Sequence, residues 1–215
     1  MTATATTSIT SPAVSTRVLL GCAAVAAPLW AAVSLGQAAA RDGFDLTRHP
    51  LSMLSNGSLG WLQIANFIVG GLLTVIGAAG LRLVLTSRWA PRLIALNGLG
   101  MIAAGVFVMD AADGFPAGTP SGMPAALSWH SYAHFGSGTI AFAALIAACY
   151  VLGRGYRRAG DRGGAVASYA AGTAALVGNL WAVSGGRAGS LALAVGVIAA
   201  MLWISVVAAR LLSTR

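Results

Sequence analysis

The sequence predicts an all-α polytopic membrane protein with six transmembrane helices and both termini in the cytoplasm. Its 215 residues are 57% hydrophobic, and its mean hydropathy is +0.79. Only 8% of the residues are charged, with 13 arginines, five aspartates and neither lysine nor glutamate, whereas about a quarter of a soluble domain is charged. The apolar residues form six long runs, and the arginines gather at alternate ends of these runs. These three observations define the fold class.

Each of the six runs is long enough to be a membrane span, because a hydrocarbon core of about 30 Å needs roughly 20 apolar residues in a helix. Backbone groups in lipid have to bond within their own segment, which favours helices over an open sheet. The runs are too long and too uniformly apolar for barrel strands. Little sequence remains outside them, so residues 17–215 are predicted to form one six-helix domain. The runs cover residues 17–40, 60–85, 90–110, 127–152, 164–183 and 191–212.

The arginine distribution predicts the orientation. Ten of the 13 arginines lie at one set of span ends, and the positive-inside rule places that set in the cytoplasm. The loops at about 41–59, 111–126 and 184–190 are then outside, as expected for a multi-pass protein of a bacterial inner membrane. Because the arginines lie at span ends, the net charge of +8 does not indicate nucleic-acid binding. The ten are Arg17, Arg82, Arg88, Arg92, Arg154, Arg157, Arg158, Arg162, Arg210 and Arg215, and the others are Arg41, Arg48 and Arg187.

The N-terminal segment allows two interpretations. Residues 1–16, MTATATTSITSPAVST, are small and polar and are predicted to be a disordered tail. Arg17, the apolar run after it and the small residues Ala38, Ala39 and Ala40 resemble a signal peptide with its cleavage site. The run is longer than a usual signal core, so a retained first span is favoured.

Four amide side chains lie inside predicted spans and need partners there. Hydrogen bonds between helices would satisfy them, and one or two could instead line a cavity. Lipid is as apolar as leucine, so close packing through the 28 glycines and polar contacts are expected to hold the helices together. The amides are Gln63, Asn66, Asn97 and Asn179.

Histidine, aspartate and serine gather at the predicted outer side. The positive-inside rule accounts for the few arginines there but not for the acidic residues, which contribute little to it. A polar site at the outer mouth of the bundle accounts for the whole set. Its candidate residues are Arg41, Asp42, Asp45, Arg48, His49, Ser52, Ser55, Asp110, Asp113, His130 and His134.

The spacing of these residues suggests that they lie close together. His130 and His134 are four residues apart, which places them on one helix face, within the first two turns of span four. Asp110 ends span three at the same depth. His49 opens the segment HPLSMLS, where Pro50 suits the first turn of a short interfacial or re-entrant helix.

Four roles for this site stay open. The first is a metal site, in which His49, Asp110, His130 and His134 would bind zinc or another divalent metal and leave one position for a water molecule. The metal would make that water acidic enough to attack an ester or amide. The second is acid–base catalysis without a metal, in which aspartate orients histidine and Ser52 or Ser55 is the nucleophile.

The other two roles need no chemical reaction. Arg41 and Arg48 could bind a phosphate or carboxylate head group through forked hydrogen bonds, with Asp113 as a further substrate-binding residue. Alternatively, the polar side chains cap helices and tie the loops to the end of the bundle. The histidine pair alone is weakly specific, and the glutamate of the metalloprotease helix motif is missing.

Three segments resemble the bacterial integral-membrane proteins grouped as domain-of-unknown-function family 998. They are RHPLSMLSNGSLGWLQIANFIVGG (48–71), GVFVMDAADGFPAGTP (105–120) and LSWHSYAHF (127–135). The resemblance supports six spans and implies little about activity. It covers His49, Ser52, Ser55, Phe107, Asp110, Asp113, Gly114, His130 and His134.

A fainter resemblance is to the transmembrane hydrolase superfamily of alkaline ceramidases and progestin/adiponectin receptors. The shared feature is an order of serine and histidine, then aspartate, then two histidines four residues apart. It implies a zinc-dependent amidase. The chain departs from that pattern because those proteins have seven spans and carry the histidine pair near the end, whereas His130 and His134 are on span four of six.

The function expected from the sequence is therefore that of an enzyme or ligand-handling protein acting on a lipid or other amphiphile that arrives laterally from the membrane. The alternative is a non-catalytic transporter or a subunit of a membrane assembly. Membrane lipids are the expected partners. The catalytic candidates are His49, Ser52, Asp110, His130 and His134, and the substrate-binding candidates are Arg41, Arg48 and Asp113.

Overall fold

Six apolar α-helices account for most of the computed structural model, which describes the backbone of residues 12–214 and the side chains of residues 16–214. Each of these helices is long and apolar enough to cross a membrane, so the predicted all-α class and its six spans are confirmed. They are α1 (Pro12–Ala40), α2 (Gly60–Val84), α3 (Trp89–Val106), α4 (Trp129–Arg158), α5 (Arg162–Val183) and α6 (Gly189–Ser213), and a short 3₁₀ helix spans Leu51–Ser55.

The helices form a closed ring. Each packs against the next one along the chain, and α6 packs against α1. Neighbouring helices are antiparallel, so their connecting loops alternate between the two ends of the ring. The two ends differ in the length of these loops. The long-loop end carries residues 41–59, 107–128 and 184–188. The short-loop end carries residues 85–88 and 159–161, the start of α1 and the end of α6.

Glycines allow the backbones of α2 and α3 to touch. A Cβ atom on Gly71 would lie 2.6 Å from the carbonyl oxygen of Gly98, and one on Gly98 would lie 2.8 Å from the carbonyl oxygen of Gly71. Real Cβ atoms do not approach a carbonyl this closely, so neither position tolerates a side chain without a shift of the helix. The predicted use of small residues for close packing holds at this crossing.

A buried polar network joins α1 to α2 near the long-loop end. Gln37 Nε2 donates to Gln63 Oε1 at 2.8 Å, and Gln63 Nε2 donates to Ser34 Oγ at 3.0 Å. Asn66 Nδ2 also donates to Ser34 Oγ, at 3.0 Å. All four side chains are buried. This network confirms that Gln63 and Asn66 make hydrogen bonds between helices.

Three helix boundaries differ by more than two residues from those that hydropathy predicts. Helix α3 ends at Val106 rather than Asp110, because the backbone is extended at Phe107. Helix α4 continues to Arg158, since arginine side chains can extend to the interface and permit further helical turns. Helix α1 begins at Pro12. Residues 1–11, most of the predicted disordered tail, lie outside the described part of the chain.

Candidate functional site

His49 ties two loops together at the long-loop end. It is only 1% exposed. Its Nδ1 accepts a hydrogen bond from the backbone N–H of Asp45 at 3.0 Å, so the ring proton is on Nε2, and Nε2 donates to the carbonyl oxygen of Asp113 at 3.0 Å. Both ring nitrogens are therefore used by the backbone. In this arrangement neither ring nitrogen of His49 is free for a substrate or a metal.

Two aromatic rings and Arg41 pack around His49 at the long-loop end. Phe44 and Phe115 lie beside His49, with ring centroids 5.4 and 5.6 Å from the imidazole. The guanidinium of Arg41 lies 4.8 Å from the Phe115 ring centroid. It also donates to the carbonyl oxygens of Leu54 and Asn56, and its partial burial lowers its pKa. Arg41 holds the 3₁₀ helix in place.

Arg48 and Asp113 form an exposed ion pair. Arg48 Nη2 lies 2.8 Å from Asp113 Oδ1, and Arg48 Nε lies 3.2 Å from Asp113 Oδ2. The hydrogen bond from Arg48 lowers the pKa of Asp113, and a backbone hydrogen bond from Gly122 adds to this effect. The same Asp113 carboxylate raises the pKa of Arg48. The two predicted substrate-binding residues thus bind each other.

Asp110 lies beyond the end of α3 and fixes the start of α4. Its Oδ2 accepts from the backbone N–H of Ser128 at 2.7 Å, and its own N–H donates to Ser131 Oγ at 2.7 Å. The hydrogen bond from the Ser128 backbone is the main reason for the lowered pKa of Asp110. Ser128 in turn caps α4, because its Oγ accepts from the backbone N–H of Ser131.

The two histidines of α4 have different surroundings. His130 is exposed and lies beside Trp129, with ring centroids 3.8 Å apart. His134 is only 6% exposed, and its Nδ1 lies 3.0 Å from the carbonyl oxygen of Ala104 and 2.8 Å from that of Phe107. Both carbonyls belong to the end of α3, where helical partners are lacking. Because carbonyls only accept, the proton is on Nδ1 and Nε2 is left as an acceptor.

The predicted metal ligands do not come together. No group of three or more histidine, cysteine or aspartate side chains could hold a metal ion within the described part of the chain. The partners of His49, Asp110 and His134 explain this result, since backbone groups and helix caps direct these side chains to different places. These residues do not fit the proposed zinc shell.

A cavity of about 440 Å³ lies inside the ring, in its long-loop half. All six helices contribute to its wall, and Pro50, Leu51 and Ser52 border it at the long-loop end. Most of the lining is apolar, and the lining contains neither arginine nor aspartate. Its larger apolar side chains include Trp30, Phe67, Met101, Phe142, Leu193 and Val197, and its polar ones are Ser52, Asn97, His134, Thr139, Asn179 and Ser190.

The cavity reaches the protein surface between α4 and α5. Its lining includes Phe135, which is 40% exposed, and Val183, which is 80% exposed. Nearer the short-loop end the two helices are in contact, and the hydroxyls of Tyr150 and Thr173 are 2.7 Å apart. The exposed lining residues therefore mark a side opening in the long-loop half.

Of the five catalytic and three substrate-binding candidates, two line this cavity, Ser52 and His134. Sequence reasoning missed most of its wall, including Trp30, Phe67 and Phe142. Helical spacing could have found part of it, since His134, Gly138 and Ala141 in α4 repeat the intervals of four and three residues that Asn97, Met101 and Ala104 show in α3. These intervals place each set on one helix face.

The fold and cavity define a polytopic α-helical membrane protein with an internal, mainly apolar cavity. Within that class, the chain belongs to the family described as "Protein of unknown function (DUF998)", whose model matches residues 24–210. The match includes α2 to α5 completely and most of α1 and α6. No curated protein matches the chain, and no solved structure matches it.

Proposed function

We propose that this protein takes an amphiphilic molecule from the membrane into its interior cavity and holds the polar end of that molecule at His134. The observation that carries the proposal is the cavity itself. At about 440 Å³, it is within the roughly 300–1,000 Å³ typical of ligand pockets, which are mainly apolar with a few placed polar groups. The lining of this cavity has that composition.

His134 supports the proposal through its fixed tautomer. The carbonyls of Ala104 and Phe107 hold Nδ1 and orient the ring, so Nε2 keeps a lone pair for another partner. The residue lines the cavity and is itself buried. A ligand that enters the cavity meets an oriented hydrogen-bond acceptor in otherwise apolar surroundings.

The side opening supports entry from the membrane rather than from water. Phe135 and Val183 border it, and both lie in helices that are apolar enough to span a membrane. An apolar chain can pass between α4 and α5 without leaving hydrocarbon. The arginine bias favours an extracytoplasmic long-loop end, and the site would then lie in the outer leaflet of a bacterial inner membrane.

An enzymatic form of this function would use Ser52 and His134, the two catalytic candidates in the cavity wall. Ser52 Oγ donates to Met109 Sδ at 3.1 Å, so it has to turn away from that sulfur before it can react. The other catalytic candidates, His49, Asp110 and His130, are not among the lining residues. Hydrolysis therefore stays a prediction that is separate from binding.

A carrier is the second candidate, because a smaller void continues toward the short-loop end. It measures about 20 Å³ and shares Asn97 and Met201 with the main cavity. Thr74 and Ser205 give it a partly polar wall. Transport would require the passage at Asn97 and Met201 to widen.

Cavity filling tests the proposal. Gly138 lines the cavity, and a Cβ atom there would meet only Phe142 Cε2, at 3.9 Å. The Cβ of Gly138→Leu therefore displaces nothing, and the rest of the side chain is expected to occupy cavity space. Gly136→Leu is the matched control, because Gly136 is exposed on the same helix, lies outside the cavity lining and has open space around it.

The probes are three 12-carbon amphiphiles with a photoreactive diazirine in the chain: an alcohol, its methyl ether and its phosphate ester. Protein in membranes is irradiated with each probe, and labelled peptides are mapped by mass spectrometry. We expect saturable labelling at Phe67 and Met101 with at least one probe. This labelling should fall about tenfold in Gly138→Leu and persist in Gly136→Leu. Equal labelling in both variants, or labelling confined to the lipid-facing surface, would refute an interior binding site.

A further inference from the structure

The cavity wall carries two hydrogen-bond acceptors, on Asn97 and His134, that no donor of the described residues reaches. Asn97 is 3% exposed, and its Nδ2 donates to the carbonyl oxygen of Ala141 at 3.1 Å, which leaves Oδ1 as the free atom of that amide. His134 Nε2 is the second free acceptor. Neither atom has a hydrogen-bond partner within the described residues. Both side chains line the cavity, so a donor for either atom has to come from a molecule inside it.

These two acceptors are oriented rather than loose. The amide of Asn97 is fixed by α4, and the imidazole of His134 is fixed by the end of α3. Phe67 packs edge-on against His134, with ring centroids 6.4 Å apart. A buried acceptor that finds no donor lowers stability. These two atoms need a donor, which a ligand with only acceptors cannot supply. The same wall includes the indole N–H of Trp30, which has no hydrogen-bond partner in the part of the chain that the structure describes, and the amide of Asn179. A hydroxyl can donate to the acceptors and accept from such donors.

An anion would find no permanently charged cation among the described residues of the cavity wall. The cavity lining contains no arginine. The two arginines nearest in sequence to the cavity-lining Pro50 are already engaged, Arg41 with backbone carbonyls and Arg48 with Asp113. A phosphate or carboxylate would also face the free acceptors of Asn97 and His134, which repel it. The predicted head-group role of Arg41 and Arg48 is thus unsupported at this cavity.

We infer that the ligand is a neutral long-chain alcohol, whose hydroxyl donates to His134 Nε2 while its chain runs toward the opening between α4 and α5. This inference rests on the proposed function and specifies its ligand class. A hydroxyl supplies the missing donor without a charge that the apolar wall would destabilise. The chain then packs against apolar residues such as Phe135, Phe142 and Val183.

The three 12-carbon probes separate the ligand class from binding itself. Unlabelled 1-dodecanol, its methyl ether and dodecyl phosphate compete with the photoreactive alcohol for the wild-type protein. We expect the alcohol to compete about fivefold to tenfold better than the ether, which corresponds to one hydrogen bond. Dodecyl phosphate should compete no better than the ether. The comparison uses wild-type protein, so it does not depend on whether a variant folds.

Variants then assign the hydrogen bond. In His134→Ala the advantage of the alcohol over the ether should disappear, whereas exposed His130→Ala should keep it. If all three compounds compete equally, or the phosphate competes best, the neutral-alcohol inference is wrong while the interior site stands. If no probe labels the cavity in a manner sensitive to Gly138→Leu, the proposed function fails, and the ligand class fails with it.

Discussion

His49 donates from Nε2 to the carbonyl oxygen of Asp113 at 3.0 Å, across 64 residues of sequence. Together with the ion pair between Arg48 and Asp113, this hydrogen bond joins the loop between α1 and α2 to the loop between α3 and α4. Asp113 adopts a left-handed backbone conformation, with φ of 53°, and the contact helps to hold it there. The histidine therefore organises the long-loop end, where the sequence suggested a catalytic role.

Replacement of His49 should lower stability rather than remove a chemical group. His49→Ala leaves the backbone N–H of Asp45 without its buried partner and removes one of two donors from the carbonyl of Asp113, which keeps Arg48 Nη2. We expect the free energy of unfolding to fall by about 1–3 kcal/mol. His130→Ala is the matched control and should change it by less than about 0.5 kcal/mol. Denaturant unfolding in detergent measures both. Similar values for the two variants would contradict the structural role of His49.

The ion pair between Arg48 and Asp113 should make stability fall in acid. The pKa of Asp113 in the folded protein is below its ordinary value of 3.8. The carboxylate therefore stabilises the fold fully above about pH 4. This contribution is lost as the pH falls through the lowered pKa. Melting temperatures measured between pH 6 and pH 3 should drop more for the wild type than for Asp113→Asn.

The control for that measurement is Asp42→Asn, which removes an exposed carboxyl from the loop between α1 and α2. We expect its acid profile to follow the wild type. The effect is modest because exposed ion pairs contribute little and are screened by salt. A profile of Asp113→Asn identical to that of the wild type would show that the pair does not contribute.

Contact between α2 and α3 should make Gly71 sensitive to the smallest side chain. In Gly71→Ala the new methyl meets the carbonyl oxygen of Gly98, and we expect the free energy of unfolding to fall by about 1–3 kcal/mol through overpacking. Gly36→Ala has open space around the new Cβ and should be neutral or slightly stabilising. The same denaturant assay ranks the two. Equal effects would mean that the helices do not touch at Gly71.

The orientation can be measured with reporters. The arginine distribution predicts that the long-loop end faces outward. A fusion at Gly118 should activate a reporter that works only outside the cytoplasm, and a fusion at Ser87 should activate one that works only inside. Both positions lie in connections between helices. The reverse pattern would invert the predicted topology and place the cavity opening in the inner leaflet.

Hydropathy predicted the six helices because each apolar run in the sequence has about the 20 or more residues that a membrane-spanning helix needs, and a run of that length has few alternatives. It did not predict where the helices end. The end of α3 at Val106 depends on the extended backbone at Phe107 and on Asp110 capping the next segment. Both features depend on contacts with residues outside the apolar run, so the run itself carries no signal for them.

The histidine pair shows what the spacing of residues along the sequence can and cannot predict. Residues four apart are offset by only about 40° around a helix, which is why the sequence predicted a shared face for His130 and His134. The edge between the packed and exposed surfaces of α4 passes between them. Where that edge falls depends on α3, which no pattern within α4 records.

The closed ring also means that the order of the helices along the chain is not fixed by their packing. Because α1 and α6 are neighbours, a linker from the end of α6 to the start of α1, with the chain opened between α2 and α3, would give a circular permutant with the same six contacts. The helices of this permutant would be inserted into the membrane in a different order. Such a permutant would distinguish what biosynthetic insertion contributes to the final ring from what helix packing contributes.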